Sequence, residues 1–311
     1  MDNLLSFCIP TYNRADILKQ VIELLVPICE KYNLMICVSE NASPDHTKDV
    51  MESLVAKYSF IKYHRHSHNI GPDDNFEYVL KMPDTKYRWL LSDTCYVKNI
   101  DTVIDDLTHN EWDAYIVGGE TKSPFCPQTK KIYQESITVM KDLGRHLSWI
   151  SCMIYNEKII NEMPFKRYKN SSFNQTALIF EPTANRTSHF CFNPNCIVYA
   201  MPIIKESAWQ WHVFDVFYRQ WYEMIMSLPI YYPFDVKVKC CQITDNVNSM
   251  YFHAKRRSEG KWSLKDVINN KFFIKKCDNS YFMLLVLAIC PQPILKAMFN
   301  IGRTIKHIVQ K

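Results

Sequence analysis

The residues able to do chemistry gather in four short polar segments, at positions 10–14, 40–43, 67–75 and 92–95. In the first, Pro10 and Thr11 close an apolar run, which turns backbone groups and the Thr11 hydroxyl toward a ligand. Arg14 follows at the expected start of a helix, where anions are already favoured. An ordinary strand-to-helix turn would use the same residues. Asp73 and Asp74 stand just ahead of another helix, in the order that caps a helix and complements its dipole. In the last segment, Ser92-Asp93-Thr94-Cys95, there is one carboxylate and one thiol. A lone thiol is a poor ligand for Mg²⁺ and a moderate one for Mn²⁺.

The elements around these segments explain why they would meet. Over the first 120 residues, short apolar runs alternate with amphipathic ones, the pattern of parallel strands joined by crossover helices. Strands are expected at 4–9, 34–39, 61–64, 88–91 and 114–117. A helix over 16–31 would gather Ile17, Val21, Leu24, Leu25 and Ile28 on one face. Ser43-Pro44-Asp45 reads as an N-cap, a first-position proline and a first-turn acid, predicting a helix over 44–57. In open sheets of this kind, ligands bind beyond the carboxyl ends of the strands, and all four polar segments fall there. Further along, the pattern predicts a strand at 150–155, a helix at 157–163 and an aromatic-rich amphipathic helix at 213–228. Helices and a tail follow over 230–311.

Taken together, Ile9-Pro10-Thr11-Tyr12-Asn13-Arg14, Val38-Ser39-Glu40-Asn41-Ala42-Ser43, Asn69-Ile70-Gly71 with Asn75-Phe76, and Trp89-Leu90-Leu91-Ser92-Asp93 resemble the family 2 glycosyltransferases. Within that family they look most like the abequosyltransferase-like bacterial enzymes of surface-polysaccharide synthesis. The likeness is strong over 3–120 and weak beyond. It implies an α/β GT-A fold: a Rossmann-like, mostly parallel central sheet flanked by helices, with a helical C-terminal extension. It further implies a nucleotide-sugar-binding half over 1–120, an acceptor half over 121–230 and an extension over 231–311. The donor would be held by Pro10, Thr11, Tyr12, Arg14, Glu40, Asn41, Asn69, Asp73, Ser92 and Asp93. Glu40 stands where the family usually carries Asp, whose carboxylate accepts hydrogen bonds from a nucleobase. Asn69, Asp73 and Asp74 would reach the ribose or phosphates.

The family also places two or three acids after the fourth strand, so that Mn²⁺ or Mg²⁺ can bridge the protein to the diphosphate. Here the usual metal-binding acid falls on Cys95, and Asp93 remains. This leaves a shifted site on Asp93, weak dependence on the cation, or a site no longer catalytic. For an inverting transfer, Asp215 is the expected base, with Glu206 and Glu223 as alternatives. Trp209 and Trp211 would form an acceptor platform. The acceptor would be a glycan or a polyprenyl-linked sugar.

Composition agrees with a folded enzyme: 47% hydrophobic, 22% charged, and 14% aromatic against six glycines. A net charge of +5 with no basic run speaks against nucleic acid. There is no Gly-x-Gly-x-x-Gly after a strand and no Walker loop, which argues against dinucleotide oxidoreductases and P-loop enzymes. The twelve cysteines show no Cys-x-x-Cys and read as reduced, buried thiols. With a strand starting almost at the first residue, a cytoplasmic protein is expected. Near the other end, apolar stretches at 281–290 and 294–301, broken by Pro291-Gln292-Pro293, precede Arg303, Lys306, His307 and Lys311. Either stretch is too short to span a bilayer. It reads either as a segment lying in the inner membrane face or as a helix on the core. A catalytically degenerate module that binds a nucleotide sugar or a partner enzyme is the competing function.

Overall fold

Apolar runs buried on both faces make strands here, and amphipathic runs between them make helices that cover the sheet. The computed structural model describes residues 3–120, 126–202, 212–242, 246–277 and 280–299. The chain divides into two units, Met1–Ile204 with Leu228–Pro233, and Lys205–Ser227 with Phe234–Lys311.

In the first unit, β1 (Leu5–Thr11), β2 (Met35–Glu40), β3 (Ile61–Arg65) and β4 (Tyr87–Leu90) pair in parallel in the order β3-β2-β1-β4. The crossovers are α1 (Ala15–Tyr32), α2 (Thr47–Lys57) and α3 (Pro72–Lys81). Every residue of β1 is buried, as a central strand covered on both faces requires. β5 (Cys95–Val97), α4 (Asp101–His109), β6 (Ala114–Gly119), β7 (Lys131–Tyr133) and α5 (Ser136–Leu143) come next. They are followed by β8 (Met153–Asn156), α6 (Glu157–Glu162), α7 (Asn174–Phe180) and β9 (Phe190–Ala200). The sheet continues from β4 through β8, β6 and β9 to β5, with β7 also on β9. Because β8 runs antiparallel to both β4 and β6, the ends of β1, β2, β4 and β6 share one edge, and β8 begins there.

The expected strands are present, with β1 reaching Thr11 and β6 reaching Gly119. Three local expectations are corrected. α2 begins at Thr47 rather than at 44, because Asp45 Oδ1 takes the Thr47 amide while Ser43 Oγ accepts from Asn13 N across the loop. The strand expected at 150–155 starts as a 3₁₀ turn, Ile150–Cys152, before β8. The helix expected over 213–228 opens as a π turn, Asp215–Gln220.

The second unit is helical among its described residues: α8 (Trp221–Ser227), α9 (Phe234–Cys241), α10 (Asn246–Ser258), α11 (Leu264–Asn269), α12 (Lys271–Cys277) and α13 (Tyr281–Ile289). Its core is aromatic. Phe214 stacks on His253 at 5.2 Å and meets Trp262 edge-on, and Tyr218 Oη hydrogen-bonds His253 Nε2 at 2.8 Å. No single described helix is long and apolar enough to cross a membrane; Tyr281–Ile289 and Gln292–Phe299 form a pair bent by 100°.

Candidate functional site

Register brings the polar segments together. Thr11 lies opposite Glu40, Glu40 opposite Arg65, and Leu91 N bonds Cys8 O at 2.9 Å, so Ser92 and Asp93 emerge one step past β4. There the Thr11 hydroxyl donates to Asp93 Oδ2 at 2.9 Å, joining residues 82 positions apart. Burial pushes the Asp93 carboxyl up; the Arg14 charge and hydrogen bonds from Thr11, the Tyr12 amide and Ser92 pull it down without cancelling that rise. Arg14 occupies the position before α1, beside this carboxyl. Tyr12 is exposed, and Asn13, at φ 58°, makes the left-handed turn that carries its amide to Ser43. A hydroxyl, a carboxylate and a guanidinium thus converge at the carboxyl edge of two adjacent strands.

The second and third segments build the loop wall. Glu40 is fully buried: Oε1 accepts from Ser43 N at 3.0 Å and pairs with Arg65 Nη1 at 3.3 Å, and Oε2 accepts from Tyr63 Oη. With both oxygens engaged in these contacts, Glu40 braces the loop after β2. Asn41 does similar work, donating to Asn69 Oδ1 and Gly71 O at 3.0 and 3.1 Å and accepting from Ile70 N at 2.8 Å. Gly71, at φ 87°, turns the chain into α3.

Asp73 faces the residue 170–172 loop, whose amides oppose the burial that pushes its carboxyl up to about 6. Asn170 and Ser172 have positive φ, the geometry of a backbone nest that receives anions. Asp73 thus ties α3 to that loop, and Asp74 pairs with Lys169 at 2.5 Å.

Ser92 N donates to Ser151 Oγ at 3.0 Å, and Ser92 Oγ bonds Thr94 Oγ1 at 2.9 Å. Cys95 is buried in β5, opposite Ala200, and burial pushes its thiol up. A buried thiol whose proton is held this firmly is a poor ligand for a hard cation. Among the described residues no group of three His, Cys, Asp or Glu could hold a metal. Asp93 with its hydroxyl neighbours fits Mg²⁺ or Mn²⁺ only in the form where one carboxylate meets a cation carried largely by substrate phosphates.

Asp215 lies in the second unit, where its oxygens accept from Arg219 Nε at 2.6 Å and Gln220 Nε2 at 2.7 Å. Burial raises its carboxyl, but the Arg219 hydrogen bond and charge outweigh that and lower it. Glu223 takes Arg219 Nη1 at 2.8 Å. Glu206, Trp209 and Trp211 lie outside the described residues. Sequence reasoning missed Ser151, Tyr63 and Arg65. The alternation of β3, which puts Tyr63 and Arg65 on one face, was the available signal for the last two.

With this geometry in place, comparison with known proteins is informative. Residues 6–179 match the model described as Glycosyl transferase family 2. Abequosyltransferase RfbV of Salmonella typhimurium strain LT2 is 36% identical over 117 residues, covering 36% of this chain and 35% of that protein. The match thus spans about a third of that relative's length. S. aureus TarS 1-349 in complex with UDP-GlcNAc superposes with a TM-score of 0.57 at 15% identity, over 91% of this chain and 84% of that one. The mannosyltransferase PcManGT of Pyrobaculum calidifontis, in complex with GDP-Man and Mn²⁺, gives 0.55 at 13% identity, over 96% and 86%. The α/β fold is that of the GT-A glycosyltransferases, with a helical C-terminal region.

Proposed function

The chain belongs to glycosyl transferase family 2, and from that membership we propose that it moves a sugar from a nucleotide-sugar donor to a lipid-linked or oligosaccharide acceptor, with inversion. The observation that carries this reading is the convergence of Thr11, Asp93 and Arg14 at the carboxyl edge of β1 and β4. Arg14, with the start of α1 behind it, suits a diphosphate. Asp93, Ser92 and Tyr12 supply further polar contacts, and Pro10 and Asn69 shape the loops around them. A divalent cation bound with the donor would be held by Asp93 and would offset charge on the departing diphosphate. Family membership, the abequosyltransferase likeness and the nucleotide-sugar complexes of structural neighbours support donor use.

Residues 1–120 are assigned to the donor, 121–230 to the acceptor and 231–311 to a C-terminal extension. Asp215 is the proposed base: its lowered carboxyl is ionised at neutral pH, although the Arg219 pair weakens it as a proton acceptor. Asp215→Asn is expected to lower kcat by at least about a hundredfold with donor affinity unchanged; an unaltered kcat removes it. A place at the cytoplasmic membrane face is supported by α13, where Phe282 and Ile289 are 72% and 70% exposed. Residues 246–311 also carry twelve Lys and Arg against three Asp and Glu, the balance that favours anionic headgroups.

The test is incubation with UDP-, GDP-, CDP- and dTDP-sugars, in Mn²⁺ or in EDTA, following nucleotide release. Release with one donor is the expected result. Binding without release from any donor would instead favour a degenerate binding module, the reading to which the lone Asp93 carboxylate and the buried Cys95 point. Absence of both overturns the site.

A further inference from the structure

An indole that the sequence did not single out stands at the same edge of the sheet. Trp149 is the extended residue between two 3₁₀ turns, Gly144–Ser148 and Ile150–Cys152, on the path from α5 to β8. The turns are pinned on both sides. His146 Nε2 bonds Val117 O of β6 at 2.8 Å, and Trp149 N donates to His146 O at 3.2 Å. Two residues on, Ser151 Oγ accepts from Ser92 N at 3.0 Å and Ser151 O accepts from Trp89 Nε1 at 2.8 Å. The segment bearing Trp149 is therefore bonded both to the residue beside Asp93 and to the end of β6.

The ring itself rests on Gly119, the last residue of β6. A Cβ built there would lie 2.0 Å from Trp149 Cζ3 and 2.8 Å from Cε3, so only glycine lets the benzo edge of the indole reach the backbone. The side chain is only partly buried, and its indole N–H has no hydrogen-bond partner among the described residues. The six-membered ring is thus seated on glycine while the polar tip is left unspent. Strands lie about 4.8 Å apart and β8 alone separates β4 from β6, so the end of β6 is about 10 Å from the end of β4.

We propose that Trp149, seated on Gly119, is a platform for the pyranose ring of a sugar at this site. The inference rests on the nucleotide-sugar reading of the Thr11–Asp93 edge. A pyranose has one face of C–H groups that packs on an indole, and hydroxyls at its rim that take an N–H donor; both are offered here. The sugar belongs either to the donor or to the acceptor, and the chemistry of recognition is the same.

The experiment measures binding of UDP-, GDP-, CDP- and dTDP-hexoses and of the matching bare nucleoside diphosphates by calorimetry. Nucleotide release is followed with methyl hexopyranosides as acceptor probes. In Trp149→Ala, about a tenfold loss of affinity for the nucleotide sugar with unchanged affinity for the bare diphosphate identifies the donor sugar. Unchanged donor binding with about a tenfold higher KM for the methyl glycoside identifies the acceptor. Trp149→Phe keeps most of either effect. Gly119→Ala reproduces the loss by displacing the ring, and adds nothing in the Trp149→Ala background. If a variant with unchanged melting leaves donor affinity and acceptor KM alike unmoved, or loses the bare diphosphate too, the platform is refuted. If the native chain binds no nucleoside diphosphate, the reading of the edge fails first and this inference falls with it.

Discussion

Replacing Asp73 by Asn separates a structural anchor from a donor ligand. The side chain is 6% exposed and burial holds its carboxyl near 6, against about 3.9 for an unfolded Asp. The folded protein therefore binds this proton more tightly than the unfolded chain. The associated stability is fully present below about pH 4 and is lost as pH rises through 6. Two pKa units are worth about 3 kcal/mol, so at pH 7.5 ionised Asp73 costs the fold about that much. Asn does not ionise, and its Oδ1 can still accept from the 170–172 amides. Its Nδ2 would occupy the place of Asp73 Oδ1, which has no partner, and an unpaired buried N–H costs about 1–2 kcal/mol. Asp73→Asn should thus stabilise by about 1–2 kcal/mol at pH 7.5 and destabilise by about 1 kcal/mol at pH 4. Urea unfolding at pH 4, 5, 6 and 7.5 gives the crossing, and donor affinity should not change. Destabilisation at pH 7.5 would mean that the amide nest, not burial, governs this carboxyl. Lost donor affinity with the crossing intact would return Asp73 to the ligand set.

Asp93→Asn should weaken donor binding in Mn²⁺ by about 10- to 100-fold, the value of a hydrogen bond to a charged group, with no fall in melting temperature. Equal falls in both would make Asp93 a brace and not a ligand. Glu40→Gln should destabilise by about 1–3 kcal/mol in chemical denaturation, because a buried charge that accepts from Ser43 N and Tyr63 and pairs with Arg65 is removed. A neutral outcome would mean that the loop after β2 holds without it. Phe282→Glu with Ile289→Glu changes two exposed positions, so stability should stay within about 0.5 kcal/mol. Sedimentation with phosphatidylglycerol vesicles should fall at least about tenfold, since two apolar groups are lost and like charge is gained. Unaltered sedimentation would exclude α13 as an anchor.

Much of the sheet was legible because its strands are apolar runs bounded by punctuation. Periodicity alone places β1 to β4 within two residues and puts all four polar segments at one edge. What it does not carry is the partner of each polar atom. Ser43-Pro44-Asp45 is a persuasive helix start, yet the Ser43 hydroxyl is taken by Asn13 from another loop, a tertiary contact across 30 positions that delays α2 to Thr47. The π turn at Asp215–Gln220 escaped for a related reason. It keeps the apolar face of a regular helix, and only the backbone reveals the wider turn.

The same limit explains why the polar residues of the edge divide into two kinds that sequence cannot tell apart. Glu40, Asn41 and Asp73 have the composition of ligands, but Glu40 spends both carboxylate oxygens, Asn41 its side-chain amide and Asp73 one oxygen on amides and side chains of neighbouring loops. Buried acceptors must be satisfied, and here the loops past the strand ends do this for one another. Thr11, Arg14 and Asp93 differ because they meet where β1 and β4 lie side by side, which brings a hydroxyl and a guanidinium to one carboxyl at the strand ends. Trp149 makes the converse point. Nothing in its own neighbourhood of sequence marks it, and its placement depends on Gly119, thirty residues earlier, having no side chain to keep the ring away. Loop walls are written in residues that satisfy one another across neighbouring loops, and the proposed donor edge in residues from the ends of β1 and β4 that converge on one carboxyl.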